Sequence, residues 1–98
     1  MTTDTPEIQT EEFNRRGRYF IPFEDGSEAE LTYSRPNTNV IVADHTGVPP
    51  QHRNRNIALQ LVLRAVEDAR AGGYQIVPQC SYVEAQFRRH PEWQDLRG

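Results

Sequence analysis

One stretch, residues 44–70, constrains the fold of this chain more than any other. A short apolar run, residues 40–43, leads into Asp44 and a polar turn, and the turn opens directly into a long helical pattern. A strand, a polar turn and a helix in this order direct backbone N–H groups and the positive end of a helix dipole at one place. We therefore interpret the stretch as an anion-binding turn suited to a pyrophosphate, and the remaining segments as parts of its site.

The pattern around this stretch predicts a mixed fold. Apolar residues fill most of the circumference of a helix over about residues 54–71, which Gly72-Gly73 ends. Alternating residues and turn signals predict four strands: 18–23, 27–33, 38–44 and 74–79. The first three form an antiparallel meander, with Pro22 marking the first as an edge strand. The fourth follows a helical crossover and is expected to lie parallel to the third, so we predict an α/β (α+β) fold with helices packed on the sheet.

The two ends of the chain differ in character. Residues 1–12 contain four acidic residues, no basic one and little to bury, which predicts a disordered acidic tail ahead of one folded domain, 13–98. Near the other end, Ser81 followed by Glu84 has the pattern of a capping box. We therefore expect a second helix from Ser81 to about His90, where Pro91 stops it.

Composition narrows the function classes. The net charge is −3, and all eleven basic residues are arginine. Because most of the negative excess lies in the tail, the domain is nearly balanced, which argues against nucleic-acid binding. The chain has one cysteine, no apolar run of membrane-spanning length and no signal-peptide pattern, so we expect a cytoplasmic monomer without membrane contact.

Three residues could carry chemistry at the ends of the parallel strands. Cys80 precedes a helix start, where the dipole lowers a thiol pKa, and is either a nucleophile or an apolar lining residue. His45 is either a base or a strand-end residue bonded to a loop, and Tyr82 either protonates a leaving thiolate or packs under the second helix. No metal is expected, because the histidines and Cys80 lack ligand spacing.

Several motifs together resemble a known family. His45-Thr46-x-Val48-Pro49, the turn with Ile57-Ala58, then Val77-Pro78-x-Cys80-Ser81-Tyr82-Val83 and Arg89-His90-Pro91-Glu92 are similar to the short, single-domain (Yjdj-type) members of the GNAT acetyltransferase superfamily. The resemblance extends over about residues 18–96. It implies an acetyl-CoA-dependent N-acetyltransferase whose pantetheine arm lies between splayed strands. The expected CoA-binding residues are Val48, Gln51, His52, Arg53, Asn54, Arg55, Asn56, Ile57, Ala58 and Cys80.

The turn departs from the family in one respect. The superfamily's signature is Gln/Arg-x-x-Gly-x-Gly/Ala, and here Asn54 and Asn56 stand in the two glycine positions after Gln51. The leading hypothesis is acetyl transfer to an amine of unknown identity, on a protein or a small molecule. The alternative is a non-catalytic CoA-binding or degenerate acetyltransferase module that acts in protein interaction. A third is an interaction domain whose acidic tail recruits a partner.

Overall fold

The structure is a computed structural model that describes residues 7–98 and, within that range, every side chain except those of Asn54 and Arg55. Five strands and two α-helices make up its frame: β1 (Gln9–Phe13), β2 (Arg16–Pro22), β3 (Glu28–Asn37), β4 (Val40–Gly47), α1 (Ile57–Gly72), β5 (Gln75–Pro78) and α2 (Ser81–Arg89). Two 3-10 helices, Pro50–Arg55 and Pro91–Leu96, precede α1 and follow α2.

The five strands form one sheet in the order β1-β2-β3-β4-β5. The first four are antiparallel to their neighbours, and β5 is parallel to β4. This confirms the predicted mixed sheet, with the crossover helix α1 between its two parallel strands. The described chain has a four-stranded meander, so the predicted three strands were one too few, and β2 is an interior strand and not the expected edge.

β1 is the strand that sequence analysis missed. The expected disorder is wrong for residues 9–12, which pair with β2 in the register Gln9↔Phe20 to Phe13↔Arg16, while residues 1–6 of the expected tail lie outside the described residues. Asn14 and Arg15 join the strands with positive φ angles of 55° and 65°, as a tight two-residue hairpin turn requires.

Long-range polar contacts attach β1 to the domain. The Tyr33 hydroxyl donates to the Glu12 carboxylate at 2.7 Å, and Arg35 pairs with the same carboxylate at 3.2 Å. These hydrogen bonds hold the pKa of Glu12 below its ordinary value, and burial together with the Glu12 contact raises the pKa of Tyr33 to about 12. On the other face of the sheet, Arg18 pairs with Glu11 at 2.9 Å.

The hydrophobic core lies on one face of the sheet, under both α-helices. Its most deeply buried side chains come from β2 to β5, α1 and α2: Ile21, Leu31, Ile41, Ile57, Leu61, Val62, Ile76, Val83 and Phe87. α1 is about 24 Å long and lies along the sheet. It begins at Ile57, later than expected, because the preceding turn is a separate 3-10 helix. No helix within residues 7–98 is both long and apolar enough to cross a membrane.

Candidate active site

The two parallel strands separate at one point. β4 pairs with β5 from Val40↔Gln75 to Ala43↔Pro78, and it then continues to Gly47 with β3 as its only partner among the described strands. The Ala43 carbonyl accepts from the backbone N–H of Gln79 at 3.0 Å and of Cys80 at 2.9 Å. Because Pro78 has no N–H to extend the ladder, the chain turns away there into α2. The edge of β4 over residues 44–47 is thereby opened.

A cavity of about 380 Å³ lies beside this opening. Residues from the end of β4, the first 3-10 helix and the starts of both α-helices line it: Thr46, Gly47, Val48, Arg53, Asn56, Ile57, Ala58 and Tyr82. The open edge of a strand and the N-termini of two helices therefore converge on one space.

The start of α1 carries the anion-binding potential of the cavity. Asn56 precedes the helix with φ 56° and ψ 29°, a left-handed conformation that asparagine tolerates better than most residues. Its side chain makes no capping hydrogen bond, and the first turn of α1 contains no acidic residue. Because the first N–H groups of a helix have no partner within it, and the dipole is positive there, this end favours a negatively charged group.

Arg53 is exposed at the edge of the same cavity. Its Nε donates to the Val48 carbonyl at 3.3 Å, so the side chain folds back over the loop that joins β4 to the 3-10 helix. This holds a permanent positive charge beside the α1 N-terminus. Phosphate binding by Arg53, which its position in the turn predicts, stays a prediction.

The start of α2 is built differently. Cys80 is its N-cap residue, with φ −71° and ψ 135°, and Ser81 is already helical. The predicted Ser81–Glu84 capping box is therefore wrong. Arg97 and Arg88 instead bind the Glu84 carboxylate, at 2.7 and 3.1 Å.

The Cys80 thiol is half-buried, and its Sγ lies 3.5 Å from Thr46 Oγ1. Burial raises the pKa of this thiol, but the Thr46 hydroxyl and the backbone N–H groups of Val83, Tyr82 and Thr46 lower it by more. The pKa of Cys80 consequently lies below its ordinary value, in the direction expected for a thiol at a helix start.

Of the neighbours His45 and Thr46, the structure places Thr46 beside Cys80. Thr46 pairs with the inward-facing Leu31 and contacts Cys80, whereas His45 pairs with Thr32 on the other face and is exposed. Gly47 shares the face of His45, since a β-carbon built there would lie 3.2 Å from His45 Nε2. The structure thus brings a hydroxyl, and not the imidazole, to the thiol.

Tyr82 lies in the first turn of α2 and lines the cavity. Its ring packs against the hydrophobic core, so the predicted packing role and a role at the cavity are compatible. Burial raises the pKa of its hydroxyl, against smaller opposing effects of Arg89 and Gln86. The side chain is therefore protonated at neutral pH and can donate a proton.

Apart from Cys80, which contacts Thr46 of the cavity lining but is not part of that lining, the expected CoA-binding residues divide into three groups. Val48, Arg53, Asn56, Ile57 and Ala58 line the cavity together. Gln51 and His52 direct their side chains to Asp25 in the β2–β3 turn. The side chains of Asn54 and Arg55 lie outside the described part of the structure, so their expected contacts with CoA stay predictions.

Sequence reasoning missed Thr46 and Gly47, which line the same cavity. The available signal was their place in the chain, because they continue the strand directly between His45 and Val48. Within residues 7–98, no three His, Cys, Asp or Glu side chains are grouped as a metal site would need.

Comparison with known proteins agrees with this geometry. The family model described as GCN5-related N-acetyl-transferase matches residues 18–96, and the chain therefore belongs to that family. This confirms the resemblance found in the sequence motifs and defines the protein as an acyltransferase by class. β1 lies outside the matched residues.

A solved structure shows the same fold over almost the whole chain. The NMR solution structure of a GCN5-like protein from Staphylococcus aureus matches with a TM-score of 0.72 and 26% sequence identity. The match covers 98% of this chain and 91% of that chain. β1, although it lies outside the family match, is thus within the range of the structural likeness.

Proposed function

We propose that the protein transfers acetyl from acetyl-CoA to an amine, with CoA bound between the splayed strands β4 and β5. The observation that carries the proposal is the cavity at the opening, where the uncapped start of α1 faces the same space as Thr46 and Tyr82. Helix N–H groups suit a pyrophosphate, and an open strand edge suits the amides of a pantetheine arm.

The residues at the cavity support distinct roles in binding. Backbone N–H groups of Ile57 and Ala58 would bind phosphate oxygens, with Arg53 supplying a charge-assisted contact. Asn56 occupies a glycine position of the family signature, and its left-handed backbone shows that the conformation for which glycine is suited is kept. This supports CoA binding in spite of the substitution.

The chemistry we propose is direct attack. The amine nitrogen adds to the thioester carbonyl, the C–S bond breaks, and the amide product retains the acetyl group. The departing thiolate takes a proton, which Tyr82 can donate because its hydroxyl is protonated at neutral pH. The proton lost by the amine goes to solvent or to a base on the acceptor side, a role for which exposed His45 is a candidate.

A covalent route through Cys80 is the alternative to direct attack. Its lowered pKa is compatible with accepting acetyl as a thioester before passing it to the amine. However, its observed partner is the Thr46 hydroxyl, which is not a base, and His45 faces away. We therefore favour Cys80 as a residue that lines the thioester region, with no covalent intermediate.

The acceptor we propose is a primary amine that approaches an open site, such as a protein N-terminus, a lysine side chain or a polyamine. The open edge of β4 and the exposed Arg53 and His45 leave room for a large acceptor. We propose that the protein transfers acetyl as a cytoplasmic monomer and that the reaction uses no metal.

Calorimetric titration with acetyl-CoA and with CoA tests the proposal first. We expect binding of both, with backbone amide shifts confined mainly to residues 48–58 and 79–82. Acetyl transfer is then measured by mass spectrometry on a lysine peptide, a peptide with a free N-terminus and spermidine, with a fully blocked peptide as control. No binding at millimolar CoA would overturn the proposal, and binding without transfer to any amine would identify the non-catalytic alternative.

A further inference from the structure

The two carboxylate oxygens of Asp25 make separate sets of contacts. Oδ1 accepts from the Ser27 backbone N–H at 2.9 Å and from the Ser27 hydroxyl at 2.6 Å, which shapes the β2–β3 turn. Oδ2 accepts from Gln51 Nε2 at 3.1 Å and lies 3.1 Å from His52 Nε2. Oδ1 therefore accepts hydrogen bonds within the hairpin, and Oδ2 contacts the 3-10 helix that precedes α1.

A second residue of the same hairpin contacts the same helix. The Phe23 ring stacks on the His52 ring, with centroids 3.7 Å apart and planes inclined by 14°. The His52 side chain is only 14% exposed in this arrangement. We call the contacts of Phe23 and Asp25 with Gln51 and His52 the hairpin anchor.

The hairpin anchor is adjacent to the cavity but separate from it. Arg53 follows His52 directly, and Asn56 lies at the end of the same short helix, so both take their positions from it. In the described part of the chain, the cavity lining contains Arg53 and Asn56 but no residue of the anchor.

We infer that Asp25 is a positioning residue for CoA: through Gln51 and His52 it fixes the 3-10 helix that brings Arg53 and Asn56 to the cavity. Gln51, the first residue of the family signature, then acts by holding this helix and not by binding phosphate with its side chain. The inference rests on the proposed function, because it assumes that CoA occupies the cavity.

Charge alone and a positioning role of Asp25 predict different changes in CoA affinity when the carboxylate is removed. CoA is an anion, so removing a carboxylate near its site should by charge alone leave binding unchanged or tighten it slightly. If Asp25 positions the helix, its loss weakens binding instead. The two effects can therefore be told apart by the direction of the change.

Asp25→Asn separates the functions of the two oxygens. The amide oxygen can still accept from Ser27, but an NH₂ group now faces the donor of Gln51. We expect CoA affinity, measured by calorimetry on the full chain, to fall about fivefold to tenfold, as the loss of one or two hydrogen bonds would produce. We also expect the amide resonances of residues 53–58 to shift in the free protein.

Two matched variants control for charge and for the hairpin itself. Glu24→Gln removes the same charge from the same turn, and Ser27→Ala removes only the hydroxyl contact to Oδ1. Both should bind CoA within about twofold of wild type, with residues 53–58 unmoved, since the hydrogen bonds to Oδ2 remain.

The outcomes separate the inference from the proposed function. Equal CoA affinity in Asp25→Asn and Glu24→Gln, with the amides of residues 53–58 in place, would overturn the positioning role. A wild-type protein that binds no CoA would overturn the proposed function, and with it the link to CoA. The amide shifts of the free variants would then still decide whether Asp25 positions this helix.

Discussion

α1 and α2 begin at the same cavity, but their first turns present different groups to it. At α1, Asn56 adopts a left-handed conformation, its side chain makes no capping hydrogen bond, and the helical N–H groups are left to the cavity. At α2, Cys80 occupies the N-cap position in an extended conformation and likewise makes no side-chain capping hydrogen bond, but the N–H groups of Val83 and Tyr82 lower the pKa of its thiol. The start of α1 thus offers its N–H groups to a ligand, whereas the start of α2 also favours the thiolate form of Cys80.

This difference gives the two helix starts separate roles in the proposed reaction. The N-terminal end of α1, with its free N–H groups and the positive end of the helix dipole, suits the phosphates, which carry their charge throughout the reaction. The start of α2 acts where charge develops only during transfer, near Cys80 and the Tyr82 hydroxyl. Variants at α1 should therefore change mainly affinity, and variants at α2 mainly rate or thiol reactivity.

The largest effect is expected at α2. Tyr82→Phe removes the proton donor for the leaving thiolate, so kcat should fall about 100-fold, as for other losses of a general acid, with CoA affinity nearly unchanged. Chromatographic measurement of CoA release at saturating amine tests this. Tyr74→Phe, which removes a hydroxyl just before β5 and outside the described cavity lining, is the matched control. A kcat within twofold of wild type would refute the assignment of Tyr82.

At α1, stability and binding should move in opposite directions. Ala58→Glu adds a negative charge to the first turn, which should stabilise the helix by about 0.3–1 kcal/mol while repelling CoA and filling the cavity. We expect at least a tenfold loss of CoA affinity in calorimetry together with a higher urea midpoint. Ala71→Glu, exposed in the last turn, should instead lower the midpoint and leave CoA binding intact. A tightly binding Ala58→Glu protein would place the phosphates elsewhere.

Cys80→Ala sharpens the assignment at α2. Under direct attack the variant keeps activity within about threefold of wild type, and wild type incubated with acetyl-CoA alone forms no acetyl adduct on the reaction pathway. Peptide mapping checks this cleanly, because the chain has no lysine and only its N-terminus competes. An acetyl-Cys80 that forms and decays at the turnover rate would establish the covalent route instead.

The pH dependence of Cys80 alkylation tests which neighbouring groups lower the pKa of the thiol. Because the pKa of Cys80 is lowered, its alkylation rate should reach half-maximum at a lower pH than that of free cysteine in the same buffer. Thr46→Ala removes a hydrogen bond that favours the thiolate, so its midpoint should move up. Thr38→Ala, in the exposed β3–β4 turn, should leave the midpoint in place. A Thr46→Ala midpoint equal to wild type would exclude Thr46 as a cause.

The smallest effect is expected from the backbone at Asn56. Glycine adopts the left-handed conformation freely, so Asn56→Gly should change the free energy of unfolding by only a few tenths of a kcal/mol. Asn56→Ala should cost about 1 kcal/mol more, because a β-carbon without a compensating polar group is strained there. Urea unfolding of the pair measures the difference. Equal stabilities would show that the left-handed conformation is not maintained.

Sequence pattern was sufficient for much of the fold because the necessary signals are local. The apolar circumference of α1, the Gly72-Gly73 stop and the crossover to β5 can each be recognised within a few residues. β1 has no such signal, since all five of its residues are exposed. Its order depends on Glu12 meeting Tyr33 and Arg35, a contact more than twenty positions away along the chain.

The site was predictable to the same extent. The turn before α1 was recognised because its residues are contiguous in sequence, although α1 begins at Ile57 and not near residue 54, and anion binding by the turn stays a prediction. The capping box failed because Arg88 and Arg97 bind Glu84, and Gln51 and His52 were assigned to phosphate because no local pattern reveals Asp25 as their partner. The contacts of Arg97 with Glu84 and of Gln51 with Asp25 join segments that are distant in sequence, so no local pattern predicts them.

The register shift in β4 decides which side chain lies beside Cys80. Between Thr32 and Tyr33, β3 passes one residue while β4 passes two, so Asp44 is an extra residue in the ladder. Had Asp44 taken a regular place in the strand, His45 would stand opposite Leu31 and point inward at the thiol, and Thr46 would point outward. Loss of Asp44 would leave this pairing as it is, whereas a ladder that took in Asp44 without a bulge would bring the imidazole to Cys80 in place of the hydroxyl. The bulge at Asp44 therefore sets which of two consecutive side chains the thiol meets.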